Sequence, residues 1–301
     1  MSRHIIIAGG SGFIGRRLAA LLSSAGQRVT ILTRRGGNAV GNVEFATWSA
    51  TDAGSCVSRL DGADAVVNLC GESIAGPRWT DKRKSELIDS RVQPTRTLLE
   101  AFAECAQPPA RFLQASGVGF YGIGNRDCVE TTGQGQDFLA HLAAEWEAPV
   151  RALSDDGPGD HAIMRLGVVL GRRGGALPQM LLPFRTLVGG PIGDGMQWLS
   201  WIHIADAVAA ITHLLEIESL SDVYNLTAPA PVRNHEFAEA AANALHRPSW
   251  VPMPKAAMKM LLGEQDTLVC EGQRALPAAL EKSGFRFQYP DIASALADLT
   301  D

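Results

Sequence analysis

Short apolar runs alternate with amphipathic stretches through the first half of the chain. The apolar runs predict strands at His4–Ala8, Arg28–Leu32, Val43–Ala46, Ala65–Leu69, Arg111–Ala115 and His161–Leu166. Apolar residues at helical spacing predict helices at Phe13–Ala25, Lys82–Cys105 and Asp137–Leu153. Strand, helix and strand in this order predict right-handed crossovers and a parallel sheet. We therefore expect an α/β fold with a Rossmann-type doubly wound parallel sheet.

The pattern changes after Leu170. Glycine- and proline-rich stretches follow, with predicted helices at Ile204–Ile217 and Asn234–Leu245 and a strand at Val223–Leu226. We expect an NAD(P)-binding Rossmann domain over residues 1–170, to which segments at about 200–230 return. Residues 171–301 would otherwise form a smaller C-terminal lobe on the substrate side.

Composition narrows the classes of function. A formal net charge of −5 without a basic block is not typical of a nucleic-acid surface. No run reaches the roughly 18 apolar residues that span a bilayer, and the seven histidines lack metal-ligand spacing. Five scattered cysteines without a C-x-x-C pair indicate a reducing compartment. We expect a cytoplasmic protein that acts on a small molecule and binds no nucleic acid, membrane or metal.

A glycine-rich turn joins the first predicted strand to the first predicted helix. The sequence G-x-x-G-x-x-G places glycines at Gly9, Gly12 and Gly15. The first glycine permits a tight turn, the second lets the backbone approach a pyrophosphate, and the third allows close helix packing. Incidental glycines in a plain turn are the weaker interpretation, because the turn follows a strand and opens a helix. The predicted contacts are Gly9, Ser11, Gly12, Phe13, Ile14 and Gly15.

The end of the second strand selects the cofactor. NAD-binding sites usually carry an acidic residue there, which holds the ribose 2′-hydroxyl. This strand ends in Thr33-Arg34-Arg35, without an acid. Arg34 is suited to a 2′-phosphate, so the sequence favours NADP (NADPH) over NAD. A surface pair of arginines is the alternative interpretation.

Several segments together resemble a known family. They are Gly9–Gly15, Asn68–Ile74, Ser90–Val92, Ala115–Gly122, Arg165–Gly171, Leu181–Phe184, Trp201–Asp206 and Gly272–Pro277. They resemble the extended short-chain dehydrogenase/reductases, and more closely the atypical "epimerase family protein" (YfcH-like) group with its small C-terminal domain. The resemblance covers essentially the whole chain.

The resemblance implies further cofactor contacts. Leu69 and Cys70 would lie along the loop against the adenosine half, and Gly71 on the same loop is a further predicted cofactor contact. Thr33 would join Arg34 at the 2′-phosphate. Arg91 stands where active relatives have a structural asparagine, and backbone around Val168 would meet the nicotinamide end. Glu86 precedes Arg91 on the same helix and would face the cofactor. An exposed helical carboxylate is nearly as good an interpretation of Glu86.

The catalytic pair of the active relatives is missing. Those enzymes use Tyr-x-x-x-Lys on the helix after the fifth strand, and the resemblance aligns Leu139 and Ala143 with the two positions. Ser116 and Tyr121 remain as candidate catalytic residues. A turn-forming serine and an aromatic ring packed below the site are the alternatives. Asp206 is expected to be a helix N-cap rather than a catalytic carboxylate.

Two functions follow from these residues. The first is an NADP-dependent oxidoreductase or epimerase-like enzyme acting on a small substrate. The second is a non-catalytic NADP(H)-binding protein that reports redox state or assists assembly of a complex. The fold and an expected cleft between the two lobes support the first, although the missing Tyr-x-x-x-Lys pair counts against its ordinary chemistry. The loss of that pair beside a retained glycine turn supports the second.

Overall fold

The computed structural model describes residues 2–153, 159–249 and 252–300. The strands in chain order are β1 His4–Ala8, β2 Arg28–Thr33, β3 Val43–Thr47, β4 Ala65–Asn68, β5 Arg111–Gly117, β6 Asp127–Cys128, β7 Asp160–Leu166, β8 Val168–Gly171, β9 Gly174–Gly175, β10 Trp198–Leu199, β11 Trp201–His203, β12 Val223–Leu226, β13 Val232–Arg233 and β14 Arg274–Ala275. The α-helices are α1 Phe13–Ser24, α2 Val57–Leu60, α3 Asp81–Glu104, α4 Phe138–Arg151, α5 Leu177–Arg185, α6 Ile204–Glu216, α7 Asn234–Leu245, α8 Lys255–Leu262, α9 Thr267–Cys270, α10 Ala278–Lys282 and α11 Ile292–Thr300. Short 3₁₀ helices cover Ala53–Ser55, Val118–Tyr121 and Gly263–Asp266.

Seven strands form one parallel sheet in the order β12-β7-β5-β4-β1-β2-β3. The strand order reverses between β1 and β4, and open α/β sheets bind their ligands in the crevice at such a reversal. The prediction of a Rossmann-type doubly wound sheet is confirmed. The predicted strands of the first half agree with the observed ones to within two residues at each end.

The sheet is covered on both faces, which explains why its strands are continuously apolar. Ile5 and Ile7 of β1 point into a core shared with α1 and α6, which includes Leu18 and Ile211. Ile6, between them, points into the opposite core, which is shared with α3. This alternation follows from the two-residue period of a strand, and it fixes the register of β1 between two buried layers.

The chain after β7 divides its elements between the main sheet and a smaller core. β12 pairs in parallel with β7 at the edge of the seven-stranded sheet, and α6 packs against α1. The smaller core contains Leu181 of α5, Phe237 of α7 and Leu296 of α11. None of the described helices is long and apolar enough to cross a bilayer.

One local prediction at the junction of these parts was wrong. His203, not Asp206, is the N-cap of α6, and its Nδ1 accepts a hydrogen bond from the amide of Ala205 at 3.0 Å. Asp206 lies in the first helical turn and is 2% exposed. Its two carboxylate oxygens accept hydrogen bonds from the amides of Gln288 and Tyr289. The carboxylate therefore ties the segment before α11 to α6.

Candidate functional site

The glycine turn has the shape that a pyrophosphate cradle requires. Gly9 has a φ of +75°, and a Cβ on it would lie 2.7 Å from the carbonyl oxygen of Leu69. A Cβ on Gly15 would lie 2.5 Å from Cα of Gly10, so the helix packs directly on the turn. A side chain at either position would displace backbone rather than a flexible side chain. The glycines at both ends of the turn are thus required by the fold.

The first turn of α1 begins at this cradle. Gly12 is the N-cap in an extended conformation, and its amide donates to the carbonyl of Gly9 at 3.0 Å. The first amides of a helix have no earlier carbonyl to bind, and they carry the positive end of the helix dipole. Within the described residues, no side chain caps this end. Ser11 is exposed beside it, and Ile14 packs into the core.

Phe13 uses its side chain for packing. Its ring fills the space that a Cβ would take at Gly171, Gly174 and Gly175, on the β8–β9 hairpin. The ring therefore links the start of α1 to the chain that follows β7. Only the backbone of Phe13 is left for a contact with a bound anion.

Arg34 lies beyond the end of β2 with its side chain exposed. Among the described residues, no hydrogen bond or ion pair engages its guanidinium. Burial raises the pKa of the Cys70 thiol to about 12, while the charge of Arg34 acts in the opposite direction. Arg34 therefore lies close enough to the loop after β4 for its charge to reach Cys70. Thr33 supports the turn, because its hydroxyl accepts from the amide of Arg35 at 3.4 Å.

A buried amide network shapes the loop after β4. Asn68 donates to Thr95 Oγ1 at 3.0 Å and to Gln114 Oε1 at 2.9 Å, and its own Oδ1 accepts from the amide of Cys70 at 3.1 Å. All three side chains are fully buried. The network directs the chain at Leu69 back toward Gly9, which brings the loop against the glycine turn.

Arg91 is buried against the same loop. It is 6% exposed, and a Cβ on Gly71 would lie 3.2 Å from its Cγ and Cζ. Its Nη2 donates to the carbonyl of Glu72 at 2.7 Å and its Nη1 to the carbonyl of Leu87 at 2.9 Å. The guanidinium also lies over the Trp146 ring, 4.9 Å from its centroid. Within the described residues, its buried Nε has no hydrogen-bond partner.

Ser116 and Tyr121 meet in a second buried network. Ser116 donates to Glu147 Oε1 at 2.7 Å, and Arg165 donates to both oxygens of the same carboxylate at 2.8 Å. Arg165 Nη1 also donates to the Tyr121 hydroxyl at 2.9 Å, and that hydroxyl donates to Asn225 Oδ1 at 2.6 Å. Burial raises the pKa of Tyr121, although the charge of Arg165 acts the other way.

This network argues against the catalytic roles considered for Ser116 and Tyr121. Each residue is 2% exposed, and both hydroxyls donate within the network. A proton donor must reach the reacting group of a bound substrate, directly or through one water molecule. We therefore assign both hydroxyls to the network around Glu147 and Arg165. The packing interpretation of Tyr121 is the one that this geometry favours.

The two positions aligned with the missing catalytic pair carry apolar side chains, and these side chains also have apolar neighbours. Leu139 on α4 contacts the 3₁₀ segment after β5, because a Cβ on Gly119 would lie 3.1 Å from its Cβ. Ala143 is 3% exposed and packs with Val118 and Tyr121. His141, between them in the sequence, is exposed on the outer face of the helix. This stretch of α4 therefore presents no acid or base beside β5.

Two further residues that were predicted to contact the cofactor form hydrogen bonds within the protein. Glu86 is exposed and accepts from Arg83 Nη1 at 3.2 Å, in a surface cluster with Glu72. This geometry favours the interpretation of Glu86 as an exposed helical carboxylate. The amide of Val168 donates to the carbonyl of Ser200 at 2.8 Å, at the start of the sheet β11-β8-β9. That amide is therefore used within the protein.

A set of contacts between the chain near the start of α3 and the segment around α8 was not predicted. Arg78 Nη2 donates to the carbonyls of Met260 and Leu261, at 3.0 and 3.2 Å. Gln265, which is 4% exposed, donates to the carbonyls of Ile74 and Pro77. A salt bridge of 2.6 Å between Lys84 and Glu264 adds a third link. The residues of α8 all remain at least partly exposed. These links hold the segment around α8 to the loop before α3 and to the first turn of α3.

The missed residues had a weak signal in the sequence. Arg165 and Asn68 lie within strands that are covered on both faces, where a polar side chain needs a partner. The sequence therefore indicates that each of these side chains has a buried hydrogen-bond partner, but it does not show which residue that partner is.

Comparisons with known proteins agree with the fold. Residues 5–227 match the model of the NAD dependent epimerase/dehydratase family, and residues 253–299 match a domain of unknown function, DUF1731. The chain is 38% identical over 299 residues to the epimerase family protein YfhF of Bacillus subtilis, covering 98% of this chain and 97% of that protein. It is 36% identical over 304 residues to the human epimerase family protein SDR39U1, covering 98% and 99%.

A solved structure extends the comparison to three dimensions. The crystal structure of human epimerase family protein SDR39U1 (isoform 2) with NADPH superposes with a TM-score of 0.89 at 34% identity, and 99% of each chain is covered. The resemblance inferred from the sequence is thereby confirmed.

Proposed function

Because the chain belongs to the NAD dependent epimerase/dehydratase family, we propose that it is an NADPH-binding protein that holds its cofactor without the family's tyrosine–lysine chemistry. The proposal rests on a contrast between the cofactor-binding part of the site and the positions of the catalytic pair. The glycine cradle and an exposed arginine for the 2′-phosphate are retained, whereas Leu139 and Ala143 occupy the positions aligned with the catalytic pair. Cofactor occupancy, which follows the NADPH level, would then be the signal that the protein reports.

The residues present fit NADPH. Gly9 and Gly15 form a cradle that any Cβ would fill, and the uncapped start of α1 is a suitable site for a pyrophosphate. Arg34 would pair with the 2′-phosphate beyond the end of β2, with Thr33 beside it. Leu69, Cys70 and Gly71 would line the other side. The solved relative with NADPH, which shares the fold over its whole length, supports this assignment.

NADPH supplies a hydride to a carbonyl when a protein group supplies the matching proton. On the β5 side of the site, α4 offers the aliphatic side chains of Leu139 and Ala143, and the phenol of Tyr121 is hydrogen-bonded below them. This arrangement supports binding without ordinary turnover. A cytoplasmic location is part of the same proposal, since the described cysteines Cys56, Cys70, Cys105, Cys128 and Cys270 are all free.

The test combines binding with turnover on one preparation. NADPH is titrated by its fluorescence, and its absorbance is then followed with a panel of aldehydes, ketones and nucleotide sugars. We expect saturable binding and an oxidation rate equal to that of a Gly9→Ala control, in which the cradle is blocked. Oxidation that saturates with one carbonyl and disappears in Gly9→Ala would instead establish an NADPH-dependent oxidoreductase.

A further inference from the structure

Arg91 carries a buried positive charge that no carboxylate contacts directly. Its hydrogen bonds go to the carbonyls of Leu87 and Glu72 and to the hydroxyl of Ser90, all neutral acceptors. Among the residues that the structure describes, no carboxylate oxygen lies within 4.0 Å of its guanidinium. The Glu72 carboxylate on the same loop is paired with Arg83 at 2.6 Å. The charge of Glu72 favours protonated Arg91, and the charge of Arg83 acts in the opposite direction.

The charge persists at neutral pH. Burial lowers the pKa of Arg91 to about 10, which is still well above neutrality. An uncompensated charge inside a protein is strongly destabilising unless polar groups or a ligand offset it. The carbonyls and the Trp146 ring offset part of this penalty, because both present partial negative charge to the guanidinium.

The position of Arg91 relative to the sheet indicates which half of the cofactor would lie near it. A dinucleotide lies across the reversal between β1 and β4, with one half over each side of the sheet. Arg34 follows β2, on the side proposed for the 2′-phosphate. Arg91 lies between Gly71, just after β4, and Trp146 on α4, which follows β5. It therefore belongs to the opposite side, where the nicotinamide half would lie.

We propose that Arg91 makes the site selective for reduced over oxidised cofactor. NADPH has a neutral dihydropyridine ring, whereas NADP⁺ carries a positive charge on the same ring. A buried guanidinium on that side of the site repels the oxidised ring and leaves the reduced ring unaffected, in surroundings that screen charge poorly. The inference rests on the proposed binding of NADPH, and it gives a protein without turnover a means of distinguishing the two redox forms.

The experiment measures affinity for NADPH, NADP⁺ and 2′-phospho-ADP-ribose, which lacks the nicotinamide ring. We expect the wild-type protein to bind NADPH at least about tenfold more tightly than NADP⁺. In Arg91→Gln that preference should shrink to about threefold or less, mainly because NADP⁺ binds better. Arg91→Lys keeps the charge and should keep most of the preference.

The third ligand separates a charge effect from damage to the site. Any loss of its affinity in Arg91→Gln measures damage to the loop that Arg91 packs against, and the affinities for NADPH and NADP⁺ are each compared relative to it. Equal binding of NADPH and NADP⁺ by the wild-type protein would overturn the inference without any variant. An unchanged preference in Arg91→Gln would overturn it too, while NADPH binding itself stood. Failure of all three ligands to bind would instead refute the proposed function.

Discussion

Removal of the charge of Glu147 is the sharpest test of the buried network that contains Ser116 and Tyr121. The Glu147 carboxylate is 0% exposed and accepts from Ser116, from Arg165 and from Arg151. Glu147→Gln keeps the volume but leaves the guanidinium of Arg165, which is 1% exposed, without its counter-charge. The new amide group would also face donors rather than acceptors.

The expected effect is large. Removal of one partner of a buried ion pair costs about 3–5 kcal/mol, a substantial share of the roughly 5–15 kcal/mol by which a folded domain is stable. Arg151→Gln is the matched control, because Arg151 contacts the same carboxylate with a side chain that is 44% exposed. Partly exposed pairs contribute about 1 kcal/mol or less. Urea unfolding followed by tryptophan fluorescence measures both free energies.

A double variant keeps the test informative if Glu147→Gln folds poorly. Glu147→Leu with Arg165→Met replaces both charges by apolar groups, which is often close to neutral for a buried pair. We expect this double variant to be more stable than Glu147→Gln. If Glu147→Gln lost no more free energy of unfolding than Arg151→Gln, our assignment of the Ser116 and Tyr121 hydroxyls to a structural network would be wrong.

Two further predictions concern the glycine cradle and the junction of α6. Gly15→Ala should lower stability and abolish NADPH binding, because its Cβ would lie 2.5 Å from backbone. Gly133→Ala is the control, because a Cβ there would meet no atom within 4 Å, and it should change neither property. Thermal melting and NADPH titration measure the two properties. Burial lowers the pKa of His203 below its ordinary 6.5. The unfolded state therefore binds more protons than the folded state, and the free energy of unfolding should fall as the pH drops below 6.5. Urea unfolding on both sides of that pH should show a weaker dependence in His203→Asn; an equal dependence would assign the effect to other groups.

Patterns that are local in sequence predicted most of the fold. The run Ile5–Ile7 predicted a strand buried on both faces, and the two cores on either side of β1 confirm it. The spacing of Leu18 and Leu22 likewise predicted the buried face of α1. Asp206 shows the limit of such local rules. Its position near a helix start suggested an N-cap, but its partners Gln288 and Tyr289 lie more than 80 residues away.

The buried networks depend on contacts that no local pattern encodes. Tyr121 meets Asn225 across 104 residues, and Arg78 meets Met260 across 182. The sequence indicated that Tyr121 lies near the site, but only the fold determines where its hydroxyl points. Arg34 is different, because its proposed role depends only on the strand that it follows. For that reason a role for Arg34 could be predicted from a local pattern, whereas a role for Tyr121 depends on distant contacts.

Calorimetric titration of NADPH and NADH into the wild-type protein and Arg34→Ala tests the central claim most directly. We predict that the wild-type protein binds NADPH more tightly than NADH. Arg34→Ala should lose about tenfold or more in affinity for NADPH and almost none for NADH, because only NADPH carries the 2′-phosphate. Equal losses for the two cofactors, or equal affinities in the wild-type protein, would contradict the assignment of this site to NADPH.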